Sequence, residues 1–168
     1  MSIHHTLIQS LTGDNDELVV QFFVTFSRFE YALKRAGYVK GSHYASADWN
    51  SFAKKKLETK IASVQNPEFI KAKAFLLDAP PQKQIVVNNN HMRWQNNLKR
   101  HEEGDAEYVL RLVRDVRNNL FHGGKYPDGI VSEQSLRNTD LLQACLVILE
   151  ECLLLDDDVK EFFWRFAK

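Results

Sequence analysis

With 168 residues the chain has the length of one domain, and 44% apolar residues, with eleven Phe, supply a sizeable core. Twenty-two basic residues balance twenty-two acidic ones; the zero net charge argues against a general nucleic-acid coat but not against a local basic cleft. No run of 18 apolar residues is present to span a membrane, and Met1 to His5 lack the charged and apolar regions of a signal peptide, so a cytoplasmic protein without a membrane partner is expected.

The first element begins near Asp14, where Asp14 and Glu17 have the spacing of a helix cap with its reciprocal acid. Leu18, Val19, Phe22, Phe23, Phe26, Phe29, Tyr31 and Leu33 follow at mainly helical spacing. Lys34 and Arg35 suit the negative end of that helix, and Gly37 ends it. Asp48 opens a shorter helix that runs to about Ala62. Pro67, at a first-turn position, opens another from Glu68 to about Leu77, closed by Ala79-Pro80-Pro81. Over residues 80–104 the pattern is weak. Ile85-Val86-Val87 reads as a brief strand interrupted by Asn88-Asn89-Asn90, and Met92 to His101 reads as a helical turn carrying Trp94 and Leu98.

From Asp105 the pattern sharpens. Val109, Leu112, Val113, Val116 and Leu120 form an apolar stripe that Gly123 and Gly124 stop. A polar loop from Lys125 to Val131 leads to a helix from about Ser132 to Leu155, with Leu141, Leu142, Cys145, Leu146, Ile148, Leu149, Cys152 and Leu153 on its apolar side. Asp156-Asp157-Asp158 caps a last helix bearing Val159, Phe162, Phe163 and Phe166. The sum is an all-α antiparallel bundle of five or six helices filling residues 1–168 as a single domain; β-branched alternation is almost absent. Cys145 and Cys152 stand two turns apart, roughly 10 Å, too far to bridge each other, and read as core residues. Neither CxxC nor HExxH occurs, so no metal or other cofactor is expected.

One segment carries chemistry: Arg117-Asn118-Asn119-Leu120-Phe121-His122-Gly123-Gly124. Arg offers a permanent charge and a fork of donors that fits phosphate, and His moves protons near neutral pH. Residues five apart on a continuous helix point about 140° away from each other. Arg117 and His122 therefore converge only if the helix ends near Phe121 and the chain turns back, or if they meet across a two-fold axis. Asn118, on the polar side of the stripe, is placed to orient the histidine or to donate to a phosphate oxygen. The structural alternative is a plain helix end: Asn and Gly serve backbone needs there, a cationic His favours the helix dipole, and Arg114, Asp115 and Arg117 form a solvated face.

The run Arg117 to His122 resembles the Arg-x(4–6)-His signature of HEPN domains, and Asn118 is similar to the polar residue common after that arginine. The stretch Phe26 to Gly37 also looks like the first helix of some HEPN proteins. The resemblance implies a helical bundle that forms a homodimer and places two signatures in a shared cleft. Many members are metal-independent ribonucleases in toxin–antitoxin, anti-phage or RNA-processing roles, some held by a cognate antitoxin or other partner protein. Others are non-catalytic interaction modules. On the matching positions Arg117 would hold the scissile phosphate, His122 would exchange a proton with the 2′-hydroxyl or the leaving 5′-oxygen, and Asn118 would orient the histidine or the RNA. Attack of the 2′-hydroxyl would leave a cyclic phosphate. One position departs: a Tyr often found two residues after the His is Gly124 here, and the nearest Tyr is Tyr126.

Around this segment Arg111, Arg114, Arg117 and Lys125 either line one groove, with Arg114 and Lys125 as substrate-binding residues along an RNA backbone, or form a plain surface. Trp94 with Arg93, Lys99, Arg100 and His101 offers either base stacking or packing of a loop onto the core, the latter favoured. Glu30 interrupts an apolar helix, either solvated, salt-bridged or reaching the cleft. His4, His5, His43 and His91 have no partners at ligand spacing.

Overall fold

The structure, a computed structural model, describes residues 15–88, 91–121 and 131–165, with the side chains of 131–135 left out of the description. Helix α1 (Asp16–Arg35) buries Phe22, Phe26, Phe29, Ala32 and Leu33 along one side, the three- and four-residue steps that keep side chains on one face. Asp16 and Glu17 in its first turn and Lys34 and Arg35 in its last oppose the helix dipole. Its end is set by Gly37, whose φ of +89° is open to glycine at little cost. The Tyr38 N–H then donates to the Leu33 carbonyl at 2.9 Å and the Gly37 N–H to the Lys34 carbonyl at 3.3 Å, satisfying two of the helix's last acceptors. At the other end the cap position is Asn15, without a side-chain bond; the expected cap Asp14 lies outside the described residues.

Beyond Gly37 come two strands of two residues each, β1 (Val39–Lys40) and β2 (Ser46–Ala47), paired antiparallel. Asp48 accepts the Ser51 N–H at 3.2 Å and starts α2 (Trp49–Phe52), which widens into a π-helical turn over Ala53–Leu57. The expected helix to Ala62 is thus α-helical for one turn only and decays into turns after Leu57. Trp49 explains why this short piece is held firmly. Its ring stacks against Phe26 and Phe29, with centroids 5.3 and 5.2 Å away, and its Nε1 donates to Glu30 Oε1 at 3.0 Å. Glu30 thus serves a buried indole rather than a cleft or a salt bridge. Burying one such aromatic is worth roughly 2–3 kcal/mol before entropy.

Asn66 caps α3 (Pro67–Asp78), with Pro67 in the first turn where its missing N–H costs nothing. Next comes an antiparallel hairpin of β3 (Lys83–Val87) and β4 (His91–Gln95), with Lys83 opposite Gln95 and Val87 opposite His91. Two small two-stranded sheets therefore correct the all-α expectation: the domain is helix-dominated but mixed. Met92 to Gln95, expected as a helical turn, is strand. Of the three asparagines that interrupt the apolar pattern, Asn88 directly follows β3, and Asn89 and Asn90 lie outside the described residues. His-Met-Arg-Trp-Gln has no β-branched residue and all five side chains are exposed, so neither propensity nor alternation marks it as strand.

Helix α4 (Asp105–Phe121) packs on α2, its π-turn, α3 and β3; α5 (Val131–Leu153) packs on α1, α3 and α4; α6 (Asp157–Trp164) packs on α1 and α5. Cys145 and Cys152 are free and fully buried in α5. No helix is long and apolar enough, among the described residues, to cross a membrane. Phe166, expected on the last apolar stripe, lies outside the described residues.

Because α4 is enclosed on so many sides, its polar groups need internal partners. Arg111 is 9% exposed. Its Nε and Nη2 donate to the two Glu103 carboxylate oxygens at 2.7 and 2.8 Å, Nη2 also reaches the Leu98 carbonyl at 3.0 Å, and Nη1 donates to Asn97 Oδ1. Asn97 in turn donates to Asp115 at 2.8 Å, and the Tyr108 hydroxyl donates to the Asn97 carbonyl at 2.8 Å. This network straps residues 97–103 across α4. A second polar knot joins α6 to α1: Asp156 accepts the Val159 N–H at 3.1 Å and the Tyr38 hydroxyl at 2.8 Å, and Lys56 Nζ lies 3.1 Å away.

Truncation of Arg111 leaves buried carboxylates without their cation. We expect Arg111→Ala to cost about 3–5 kcal/mol, read as a lowered thermal midpoint; an unchanged midpoint would contradict the strap. Burial alone would raise the pKa of Glu103 and of Asp156. The bonds from Arg111 and the Arg100 N–H to Glu103, and from Tyr38, Val159 and Lys56 to Asp156, outweigh it and hold both carboxyls below their usual range. The unfolded chain therefore takes up these protons first, and stability falls as pH drops from about 4.5 through the folded values. The Tyr38 phenol is shifted the other way, chiefly by burial and by Asp156, so its contribution is lost as pH rises above about 10. Thermal melts across pH should show a plateau between these limits, with the acid limb flattened in Asp156→Asn; an unflattened limb would remove Asp156 from the account.

Candidate functional site

The last two turns of α4 set out three polar side chains at i, i+3 and i+4: Arg114, Arg117 and Asn118. Helical geometry puts all three on one flank. Leu112, Val113 and Val116 are buried on the side that meets the core, and each of the three polar residues is half-buried at its margin. Asn119 turns elsewhere, donating to the Gln82 carbonyl at 2.7 Å and so fixing α4 to the start of the hairpin.

Arg117 is the best-held of the three. Its guanidinium carbon lies 5.6 Å from the ring centroid of Phe26 on α1 and 5.3 Å from that of Phe121, the last residue of α4. Phe121 is itself placed by Phe23, with ring centroids 5.3 Å apart. Two aromatic faces thus flank the cation and restrict its rotamers, and each contact adds about 0.5–1 kcal/mol. Nη1 donates to Asn118 Oδ1 at 3.1 Å, which leaves the Asn118 amide nitrogen as a donor.

No carboxylate pairs with Arg117 or Arg114 among the described residues. Arg111, one turn earlier than Arg114, holds Glu103 bidentately and lies 3.6 Å from Asp115. The arginines of α4 therefore divide into one that is spent on the fold and two whose charge is unanswered. Half-buried guanidinium forks without a counterion are suited to a planar or tetrahedral oxyanion, phosphate above all. Arg111, expected to line the groove, is corrected by this division: its fork is occupied.

His122, Lys125, Gly123, Gly124 and Tyr126 lie outside the described residues, so of the expected site the structure places Arg114, Arg117 and Asn118. Among the described residues no group of three His, Cys, Asp or Glu side chains is arranged to hold a metal. Trp94, expected against the core, stands on the exposed strand β4, 39% accessible, on the same side of the hairpin as Val86 and Met92. Lys99 is paired with Asp105 at 2.5 Å, and His101 lies 3.9 Å from Glu102. What sequence reasoning missed is the aromatic seat: Phe26 and Phe121 are legible as core residues, but their service to Arg117 depends on how α1 crosses α4. No family model, no curated protein and no solved structure matches this chain.

Arg117→Ala should leave the helix content by circular dichroism intact and cost about 1–2 kcal/mol in stability, the loss of two aromatic contacts. Arg117→Lys should recover part of that loss. A collapse of helix content in the alanine variant would make Arg117 a structural residue instead.

Proposed function

We propose that this chain is a metal-independent endoribonuclease of HEPN type, with RNA as substrate and a second copy of the chain as partner. The observation that supports it is the uncompensated pair Arg114 and Arg117 beside Asn118, with His122 four residues after Asn118 in the sequence.

In this reading Arg117 binds the non-bridging oxygens of the scissile phosphate through its fork, held at a fixed angle by Phe26 and Phe121. Arg114, one turn back, neutralises the adjoining phosphate. Asn118 keeps its carbonyl on Arg117 and donates its amide to the phosphate. His122 removes the proton from the 2′-hydroxyl as that oxygen attacks phosphorus, or returns one to the 5′-oxygen as its bond to phosphorus breaks. The products are a 2′,3′-cyclic phosphate and a 5′-hydroxyl. The steps use positioned charge and proton transfer, both supplied by the chain.

A second reading, a non-catalytic interaction module, draws on a different observation: α1 exposes Val20, Phe23 and Val24 on its outer side. RNA incubated with pure protein in EDTA separates the two. The nuclease reading expects cleavage that persists in chelator and falls by at least about 100-fold in His122→Ala and in Arg117→Ala. Intact RNA with well-folded wild type would favour the module. Full activity in Arg117→Ala would remove the residue on which the nuclease reading stands.

A further inference from the structure

We infer that α1, the C-terminal end of α5 and α6 together form the face on which a second copy of this chain docks. The inference names the surface for the partner proposed above, but it rests on exposed surface alone and not on any cleavage chemistry.

Along α1, Val20 (56% exposed) and Val24 (54%) stand one turn apart, with Phe23 (49%) beside them. Val24 opens onto a cavity of about 600 Å³ whose apolar walls are Leu153, Leu154, Phe163 and Trp164. Leu154 and Trp164 are themselves 62% and 52% exposed. Large apolar side chains from three helices thus share one side of the domain, a grouping that a monomer in water rarely leaves uncovered. Trp164 is the kind of side chain that anchors an interface.

The charges around the cavity favour a second copy over an unlike partner. Glu150 and Lys160 also border it, and neither has an ion-pair partner among the described residues. Arg28, the other cation at the wall, spends its Nε and Nη2 on the Phe163 and Phe162 carbonyls at 2.7 and 2.8 Å. One acid and one base on the same face are self-complementary about a two-fold axis. Glu150 of each copy then meets Lys160 of the other, and the contact is made twice. The net charge of zero adds no repulsion between copies.

Sedimentation velocity of the full chain over a concentration series tests this. Wild type should sediment as a concentration-dependent dimer. Leu154→Asp and Val24→Asp alter exposed positions, so their helix content by circular dichroism should hold while each weakens dimerisation at least 10-fold. Glu150→Lys and Lys160→Glu should each weaken it, and the double exchange should restore it. A wild type that stays monomeric at every concentration overturns the inference, as does a dimer indifferent to both apolar substitutions. Failure of the double exchange to restore association overturns the two-fold arrangement. RNA cleavage is scored separately, so a monomeric nuclease would sink the interface and spare the chemistry, and an inactive dimer the reverse.

Discussion

Helix α4 is enclosed on so many sides that each charged group along it must be answered or left standing at its margin. Arg111 is answered by Glu103, Asn97 and Asp115, an arrangement that ties residues 97–103 across the helix. Without that strap the helix would carry an unpaired buried cation beside two buried carboxylates. Arg114 and Arg117, on the same helix, have no such answer among the described residues. The functional reading depends on this contrast, because a folded protein does not hold two half-buried guanidinium groups open without cost.

The aromatic side of α1 serves both halves of the molecule. Phe26 stacks on Trp49, which holds the α2 turn, and also flanks the Arg117 guanidinium. Phe23 reaches Phe121 at the end of α4 while remaining half exposed. A change in how α1 sits would therefore move the core, the arginine and the outer apolar face together. The second polar knot, Tyr38 with Asp156 and Lys56, fixes the end of α1 to the start of α6 and so holds that outer face in shape.

Much of this is legible in the sequence, and for definite reasons. The stripes of α1, α4 and α5 repeat at helical spacing, Pro67 and Asp156 mark helix starts, and Gly37 marks an end through its positive φ. The hairpin is not, because β4 has neither branched side chains nor a buried face and its partner strand is broken off by asparagines. Nor is the commitment of Arg111. Its i, i+4 partner Asp115 is visible in the sequence, but its principal partner Glu103 comes from a loop before the helix, and burial there depends on the whole packing. Glu30 likewise reads as a stray charge because its partner, the Trp49 indole, lies across a chain reversal.

Most directly at stake is whether the open charge of Arg114 and Arg117 meets phosphate. Binding of a 2′-O-methyl RNA, which lacks the attacking hydroxyl, can be followed by fluorescence anisotropy over a range of salt. In single-stranded RNA each neutralised phosphate contributes about 0.7 to the slope of log K against log salt. The account predicts that Arg114→Ala and Arg117→Ala each lower that slope by about this amount, whereas the fold-bound Arg111, replaced in a variant that still folds, leaves it alone. Equal slopes for wild type and both variants would contradict it.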